Sequence, residues 1–121
     1  MTRNVLAVDD SRTMRDMLCI ALNDAGFNVE VAEDGEDGLG KLRAKQPDVI
    51  ITDINMPRLD GIGFIEKVRA DSAHRTIPIL VLTTENTPDL KSRAQNAGAT
   101  GWIVKPFDQF KLVAAINRVV A

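Results

Sequence analysis

The feature that most constrains the fold of this chain is the alternation of short apolar runs with longer segments of helical period. Residues 49–54 are apolar on both faces, which is typical of an interior strand in a parallel sheet. Between the apolar runs, hydrophobic residues recur every three or four positions, as they do on one face of a helix. Because the connections are short, this alternation predicts right-handed βαβ crossovers. It therefore predicts a doubly wound α/β fold with helices on both faces of a parallel sheet.

Five strands and five helices are expected along the chain. The strands are predicted at residues 5–8, 27–32, 49–54, 77–83 and 100–104, and the helices at about 14–25, 38–44, 62–68, 88–97 and 107–120. The fourth helix has the best-marked limits, because Pro88 suits a first helical turn and Gly98 suits the position just past a helix.

Composition limits the kind of protein this can be. The chain has 121 residues, 45% of them hydrophobic, which suits one domain over residues 1–121 with a single core and no output domain. The net charge of −2 gives no reason to expect binding to nucleic acid or to a membrane surface. The apolar runs are too short to span a bilayer, and no apolar signal region precedes the first strand. A cytoplasmic protein is expected, with Cys19 as a reduced core thiol and His74 exposed among polar residues.

Polar residues stand at the carboxyl ends of four predicted strands. Asp9 and Asp10 follow the first strand, Asp53 lies at the end of the third, Thr83 at the end of the fourth, and Lys105 follows the fifth. In an open α/β sheet the ligand site lies beyond the carboxyl ends of the strands, at the point where the strand order reverses. These residues are therefore expected to form one site.

The chemistry of this set favours phosphoryl transfer. Three converging carboxylates repel one another, so a hard cation is their natural counter-ion, and Mg²⁺ prefers oxygen ligands. A lysine and a threonine hydroxyl at the same rim can contact phosphoryl oxygens. An aspartate carboxylate can itself be the nucleophile that carries a covalent intermediate.

Each residue also has a simpler interpretation. Asp10 could cap the first helix, Asp53 could be a turn residue, and Lys105 could be a solvated surface charge. The occurrence of suitable residues at four separate strand ends favours the functional interpretation of the set.

Four motifs resemble the receiver domain of two-component response regulators, in order and over the whole chain. They are Val8-Asp9-Asp10-Ser11, the run from Ile51 to Gly61, Leu82-Thr83-Thr84-Glu85, and Val104-Lys105-Pro106-Phe107. The resemblance implies a flavodoxin-like sheet with strand order 2-1-3-4-5.

The resemblance also assigns roles at the matching positions. Asp53 is the expected phospho-acceptor, and Asp9 and Asp10 are expected to hold Mg²⁺ with Asp53. The backbone carbonyl of Asn55 is expected to complete the protein's share of the metal ligands. Thr83 and Lys105 are expected to contact the phosphoryl group, with a cis peptide bond before Pro106.

Further positions are expected to tune the site. Thr83 and Trp102 are the expected switch residues, and Trp102 stands where relatives usually carry Tyr or Phe. Asn55 and Glu85 match the pair found in fast-resetting chemotaxis relatives and are expected to tune dephosphorylation.

Within the family, residues 10–15 look most similar to the single-domain chemotaxis group. The partners this implies are a chemotaxis sensor histidine kinase, a flagellar motor switch protein and a phosphatase, with the receiver acting as a monomer. An alternative is a phosphate sink or phosphorelay intermediate that does not bind the motor.

Two other function classes remain as hypotheses. One is an aspartyl-phosphate phosphohydrolase, but such enzymes usually place a second acid two residues after the nucleophile, where this chain has Asn55. The other is a degenerate receiver that is never phosphorylated, which the presence of all the expected site residues disfavours. The prediction is a switch that catalyses only its own phosphorylation and dephosphorylation.

Overall fold

The structure, a computed structural model, describes residues 2–120. The strands are β1 (Asn4–Val8), β2 (Asn28–Ala32), β3 (Val49–Thr52), β4 (Ile79–Thr83) and β5 (Gly101–Val104). The helices are α1 (Arg12–Asp24), α2 (Gly35–Ala44), α3 (Gly61–Ala70), α4 (Pro88–Ala97) and α5 (Gln109–Val119), with a short 3-10 helix at Ser72–His74.

The five strands form one parallel sheet in the order β2-β1-β3-β4-β5. This confirms the doubly wound α/β fold and the strand order that the family resemblance implied. The order reverses between β1 and β3, so a crevice is expected where their carboxyl ends diverge.

Helices cover both faces of the sheet and bury a separate apolar cluster on each. The cluster under α2, α3 and α4 includes Leu39, Phe64, Ile65, Val68 and Ala94. The cluster under α1 and α5 includes Leu18, Leu22, Leu112 and Ile116. Because the central strands contribute side chains to both clusters, β3 and β4 are buried along their whole length.

Several elements differ at their ends from the prediction. β3 ends at Thr52 rather than at residue 54, although Ile54 is still buried. β4 begins at Ile79 rather than at residue 77, just after Pro78, which has no N–H to donate to the ladder. α2 begins three residues earlier than predicted, because the Asp34 carboxylate accepts a hydrogen bond from the Asp37 N–H and caps the helix.

The prediction of an exposed His74 is wrong. The residue lies in the 3-10 helix and is only 8% exposed, with its Nδ1 3.6 Å from the carboxylate of Asp71. Its carbonyl also accepts a hydrogen bond from Arg69 on α3. The polar neighbours in sequence gave no sign of this, because the burial depends on tertiary structure, which places His74 beside residues of α2 and α3 such as Leu42 and Lys67. Within residues 2–120, no helix combines the length and the apolar character needed to cross a membrane.

Candidate functional site

Backbone hydrogen bonds hold the site residues just past the ends of their strands. The Asp9 N–H donates to the Ala32 carbonyl at 3.0 Å, and the Asp53 N–H donates to the Val8 carbonyl at 3.0 Å. On the other side of the crevice, the Lys105 N–H donates to the Thr83 carbonyl at 2.8 Å. The sheet therefore fixes the backbone from which the acidic and basic side chains project, which is the condition for a preorganised site.

Three carboxylates converge in this crevice. Asp9, Asp10 and Asp53 each offer an oxygen within 4.8 Å of the others. Asp9 and Asp53 are 1% and 8% exposed, whereas Asp10 is exposed to solvent. One oxygen of Asp9 accepts a hydrogen bond from the Ser11 N–H, and one oxygen of Asp53 accepts from the Ile54 N–H at 2.7 Å.

Lys105 bridges the two buried carboxylates. Its Nζ lies 2.8 Å from Asp9 Oδ2 and 3.0 Å from Asp53 Oδ2, and its side chain is 10% exposed. The peptide bond between Lys105 and Pro106 is cis, as expected. One cation therefore compensates two buried anions, and the exposed carboxylate of Asp10 adds further negative charge at the mouth of the crevice.

Burial perturbs the titration of these groups. Burial raises the pKa of Asp9 above its ordinary value, against the lowering effect of the Lys105 ammonium and the Ser11 N–H. Repulsion from Asp53 contributes least to this rise, so desolvation is the main cause and like charge a minor one. Burial alone would lower the pKa of Lys105, but hydrogen bonds and charges from Asp9 and Asp53 raise it overall.

The signs of these two shifts have opposite consequences for stability. Above its raised folded-state pKa, ionised Asp9 costs stability, and the cost is relieved as the pH falls through that pKa. Protonated Lys105 contributes stability below its unfolded-state pKa, and this is lost as the pH rises through the raised folded-state pKa.

The donor set fits a magnesium ion. Three carboxylates from two loops offer hard oxygen ligands at mutual distances that one cation can span, and one of them faces solvent, which leaves room for water ligands. Asp9, Asp10 and Asp53 are the side chains that would hold the ion. When bound, Mg²⁺ would neutralise charge on a phosphoryl group and on the acceptor carboxylate.

Three further predicted residues, Asn55, Thr83 and Glu85, lie in the loops and strand ends beside the crevice. The Asn55 side-chain amide donates to Glu85 Oε1 at 2.9 Å, which links the loop after β3 to the loop after β4. Thr83 is fully buried, and its hydroxyl accepts a hydrogen bond from the Glu85 N–H at 3.3 Å.

Trp102 lies apart from this cluster. Its half-buried side chain packs against the apolar cluster beneath α3 and α4, and it lines a cavity of about 250 Å³ between α4 and β5. Its buried indole Nε1 has no hydrogen-bond partner among the described residues. A buried donor without a hydrogen-bond partner costs free energy.

Sequence reasoning missed three residues that support the site. Arg15 of α1 donates to the carbonyl of Asp9 at 2.8 Å, and Arg58 pairs with Asp34 across two loops. The Asp34-Gly35 pair has the pattern of a helix start and could have been identified. The contact between Arg58 and Asp34 carries no local signal, because it joins residues that only the fold brings together. Arg15 is close to Asp9 in the chain, but the residue types alone do not show that its side chain turns back to the Asp9 carbonyl.

We expect the acidic crevice to destabilise the metal-free protein. Asp10→Ala removes one of three converging charges without removing a partner of Lys105, so it should raise the free energy of unfolding in EDTA by about 1 kcal/mol. Mg²⁺ should stabilise the parent by linkage, and the variant should lose most of that response. Thermal unfolding of both proteins with and without Mg²⁺ measures both effects. A variant that melts below the parent in EDTA would contradict the repulsion.

Comparison with known proteins places the chain among signalling domains. Residues 5–117 match the family model described as the response regulator receiver domain. The phosphate regulon transcriptional regulatory protein PhoB from Escherichia coli K12 is 35% identical over 120 residues, which are 99% of this chain and 52% of PhoB. The chain thus spans about half the length of the curated relatives it matches.

Two solved structures resemble this chain over nearly its whole length. Chemotaxis protein CheY4 from Vibrio cholerae is 45% identical, with a TM-score of 0.94 over 98% of this chain and 99% of that one. The receiver domain of sensor histidine kinase PA1611 from Pseudomonas aeruginosa, with a magnesium ion in its active site cleft, has a TM-score of 0.92 over 99% of this chain and 98% of that one. It is 24% identical, and the likeness concerns the fold alone.

Proposed function

The chain belongs to the family of response regulator receiver domains, which act in two-component signalling, and on this basis we propose that Asp53 accepts a phosphoryl group. The donor is the phosphohistidine of a sensor histidine kinase, and Mg²⁺ is the cofactor. Phosphorylation changes which protein the receiver binds. In this proposal the chain is a cytoplasmic monomer that catalyses only its own phosphorylation and dephosphorylation.

The observation that carries this proposal is the environment of Asp53. Its carboxylate is buried beside two other carboxylates, and one of its oxygens contacts the Lys105 ammonium at 3.0 Å. A purely structural salt bridge has no need of a third and a fourth charged group in the same crevice. A site that receives a phosphoryl group needs them, since the acids hold a cation and the lysine contacts a phosphoryl oxygen.

In the transfer step, an oxygen of Asp53 attacks the phosphorus of the donor. The new P–O bond forms as the P–N bond to the imidazole breaks, and the imidazole nitrogen retains the electron pair and takes up a proton. The Lys105 ammonium can then pair with a phosphoryl oxygen while it remains near Asp9. The Thr83 hydroxyl can donate a hydrogen bond to another phosphoryl oxygen. Dephosphorylation is a separate hydrolysis, in which water attacks the phosphorus, the P–O bond to Asp53 breaks, and inorganic phosphate leaves as the carboxylate is regenerated.

The proposed target is a flagellar motor switch protein. The support is the 45% identity to a chemotaxis protein that matches this chain from end to end. Trp102 and the adjoining cavity between α4 and β5 are the part of the described surface we expect to change on phosphorylation, because the indole donor there is unpartnered.

The test is phosphotransfer followed by target capture. Radiolabelled, phosphorylated chemotaxis kinase is mixed with the receiver, and acid-labile label on the receiver is measured. Beryllofluoride, a mimic of the phosphoryl group, is then added to the receiver, and this form is tested for binding to a peptide of the motor switch protein. Label transfer with phosphate-dependent capture supports the whole proposal, whereas transfer without capture supports the phosphate-sink alternative. No transfer from any histidine kinase would contradict the receiver role.

We predict a short lifetime for the phosphorylated form. Asn55 and Glu85 are joined by a 2.9 Å hydrogen bond at the mouth, where they can align an attacking water with the phosphorus. Glu85→Ala should therefore slow loss of the label about tenfold, which corresponds to about 1.4 kcal/mol of lost transition-state stabilisation. Glu66→Ala, at an exposed position on α3, is the matched control. Equal decay rates for Glu85→Ala and the parent would show that the pair has no such role.

A further inference from the structure

The loop of residues 54–60, between Asp53 and α3, contains a strained turn. The Leu59 N–H donates to the Pro57 carbonyl at 2.8 Å, which closes a three-residue turn around Arg58. Arg58 has a φ of 64°, and it is the one non-glycine residue among residues 2–120 with a positive φ. A hydrogen-bonded turn of three residues with a positive φ at its centre is rare and strained for a residue with a side chain.

The side chain of Arg58 holds this turn from outside the loop. Its Nε donates to Asp34 Oδ2 at 2.6 Å, a terminal nitrogen contacts the same oxygen, and the same nitrogen lies 3.5 Å from Glu33 Oε1. Asp34 is 2% exposed and also caps α2. The hydrogen bond from the Asp37 N–H, and then the Arg58 guanidinium, lower the pKa of Asp34. The carboxylate is therefore ionised and fixed on the rigid end of a helix.

A backbone contact ties the same two segments together. The Gly35 N–H donates to the Leu59 carbonyl at 3.2 Å, and a Cβ at position 35 would lie 2.7 Å from that oxygen. The loop thus contacts the start of α2 through Leu59, the residue that follows Arg58.

We propose that Arg58 and Asp34 form a clasp that positions the loop carrying Asn55, and so sets the affinity of the crevice for Mg²⁺. This inference rests on the proposed function, in which the Asn55 carbonyl is a metal ligand. Asn55 lies three residues before Arg58, and its side chain is tied to Glu85 on the opposite side of the crevice. The loop is therefore held at two points, at the expected ligand residue Asn55 itself and at Arg58 three residues later. Arg58 is a positioning residue in this scheme, because it acts on the ligand only through the loop.

Two substitutions at one position separate the clasp from other roles of the arginine. Arg58→Ala removes the side chain but keeps the cost of a positive φ, so the turn should relax and the Asn55 carbonyl should shift. Arg58→Gly removes the same side chain, but glycine adopts a positive φ without strain. By isothermal titration of the metal-free proteins with Mg²⁺ alone, we expect Arg58→Ala to weaken binding about tenfold and Arg58→Gly about threefold or less.

The controls cover folding and charge. Arg118→Ala removes an exposed arginine from the last turn of α5 and should bind Mg²⁺ as the parent does. Asp34→Asn keeps an oxygen that can cap α2 but loses the charge that faces Arg58, so it should weaken Mg²⁺ binding in the same direction as Arg58→Ala. If Arg58→Ala does not fold, Asp34→Asn serves as the test in its place.

The outcomes distinguish this inference from the function on which it rests. Parental Mg²⁺ affinity in Arg58→Ala or Asp34→Asn would overturn the clasp, while phosphorylation of Asp53 in the parent would leave the proposed function standing. Equal weakening in the alanine and glycine variants would also overturn it, since the turn would then not be what the arginine holds. A parent protein that binds no Mg²⁺ would refute the proposed function and the clasp together.

Discussion

Asp53→Asn should abolish acid-labile phosphorylation of this protein. The amide oxygen of asparagine can still accept the hydrogen bond from the Ile54 N–H, so the loop is retained, but the side chain is no longer a nucleophile. A phosphorylated kinase mixed with the variant should therefore keep its label. We expect beryllofluoride to change the emission of Trp102, the only tryptophan in the chain, in the parent and to leave it unchanged in this variant.

Asp60→Asn is the matched control for this experiment. Asp60 lies on the same loop and caps α3 by accepting a hydrogen bond from the Gly63 N–H at 2.7 Å, a role that asparagine also fills. This variant should be labelled as the parent is. Persistent acid-labile label on Asp53→Asn, or its loss from Asp60→Asn, would show that the acceptor has been wrongly assigned.

Gly61→Ala should be strongly destabilising. At the first residue of α3, a Cβ would lie 2.0 Å from the backbone oxygen of Asp53 and 2.7 Å from the Cα of Ile54. Neither atom belongs to a flexible side chain, so the backbone after β3 must move. We expect a loss of about 3 kcal/mol in the free energy of unfolding. This would lower the melting temperature by roughly 10 °C in a domain of this size.

Gly40→Ala tests whether this cost belongs to the site rather than to glycine substitution in general. Gly40 is exposed in the middle of α2, and no heavy atom lies within 4 Å of the position that a Cβ would occupy. Because alanine favours a helix interior over glycine, this variant should gain about 0.5–1 kcal/mol. Gly61→Ala at or above the parent's stability would mean that the backbone around Asp53 is not closely packed.

Much of the fold could be predicted from local sequence patterns. The apolar residues of β3 are buried on both faces, as predicted. A run that is apolar at every position is suited to an interior strand, because helices cover both faces of a parallel sheet. The limits of α4 were predicted to the residue, because Pro88 and Gly98 have backbone preferences that act locally. The strand order did not follow from such patterns, since βαβ units alone do not specify which strands are neighbours. It came from the family resemblance.

The identity of the site residues was also accessible from the sequence, whereas their arrangement was not. Asp9, Asp53 and Lys105 could be named because each stands at a strand end. That the lysine bridges the two carboxylates, 96 and 52 residues away, depends on how neighbouring strands are paired. The cause of the raised pKa of Asp9 likewise lies in tertiary structure, since the removal of water by packing outweighs the nearby like charge.

The sequence by itself determined the order and type of the elements and the chemical groups at the strand ends, because these follow from backbone preference and side-chain periodicity. Only the tertiary structure decided which groups have lost their water and which loops hold one another. His74 is buried beside residues of α2 and α3, and Arg58 adopts a positive φ beside a carboxylate 24 residues earlier. Such contacts depend on the whole packed chain, since the strain at one residue persists only where distant residues stabilise it.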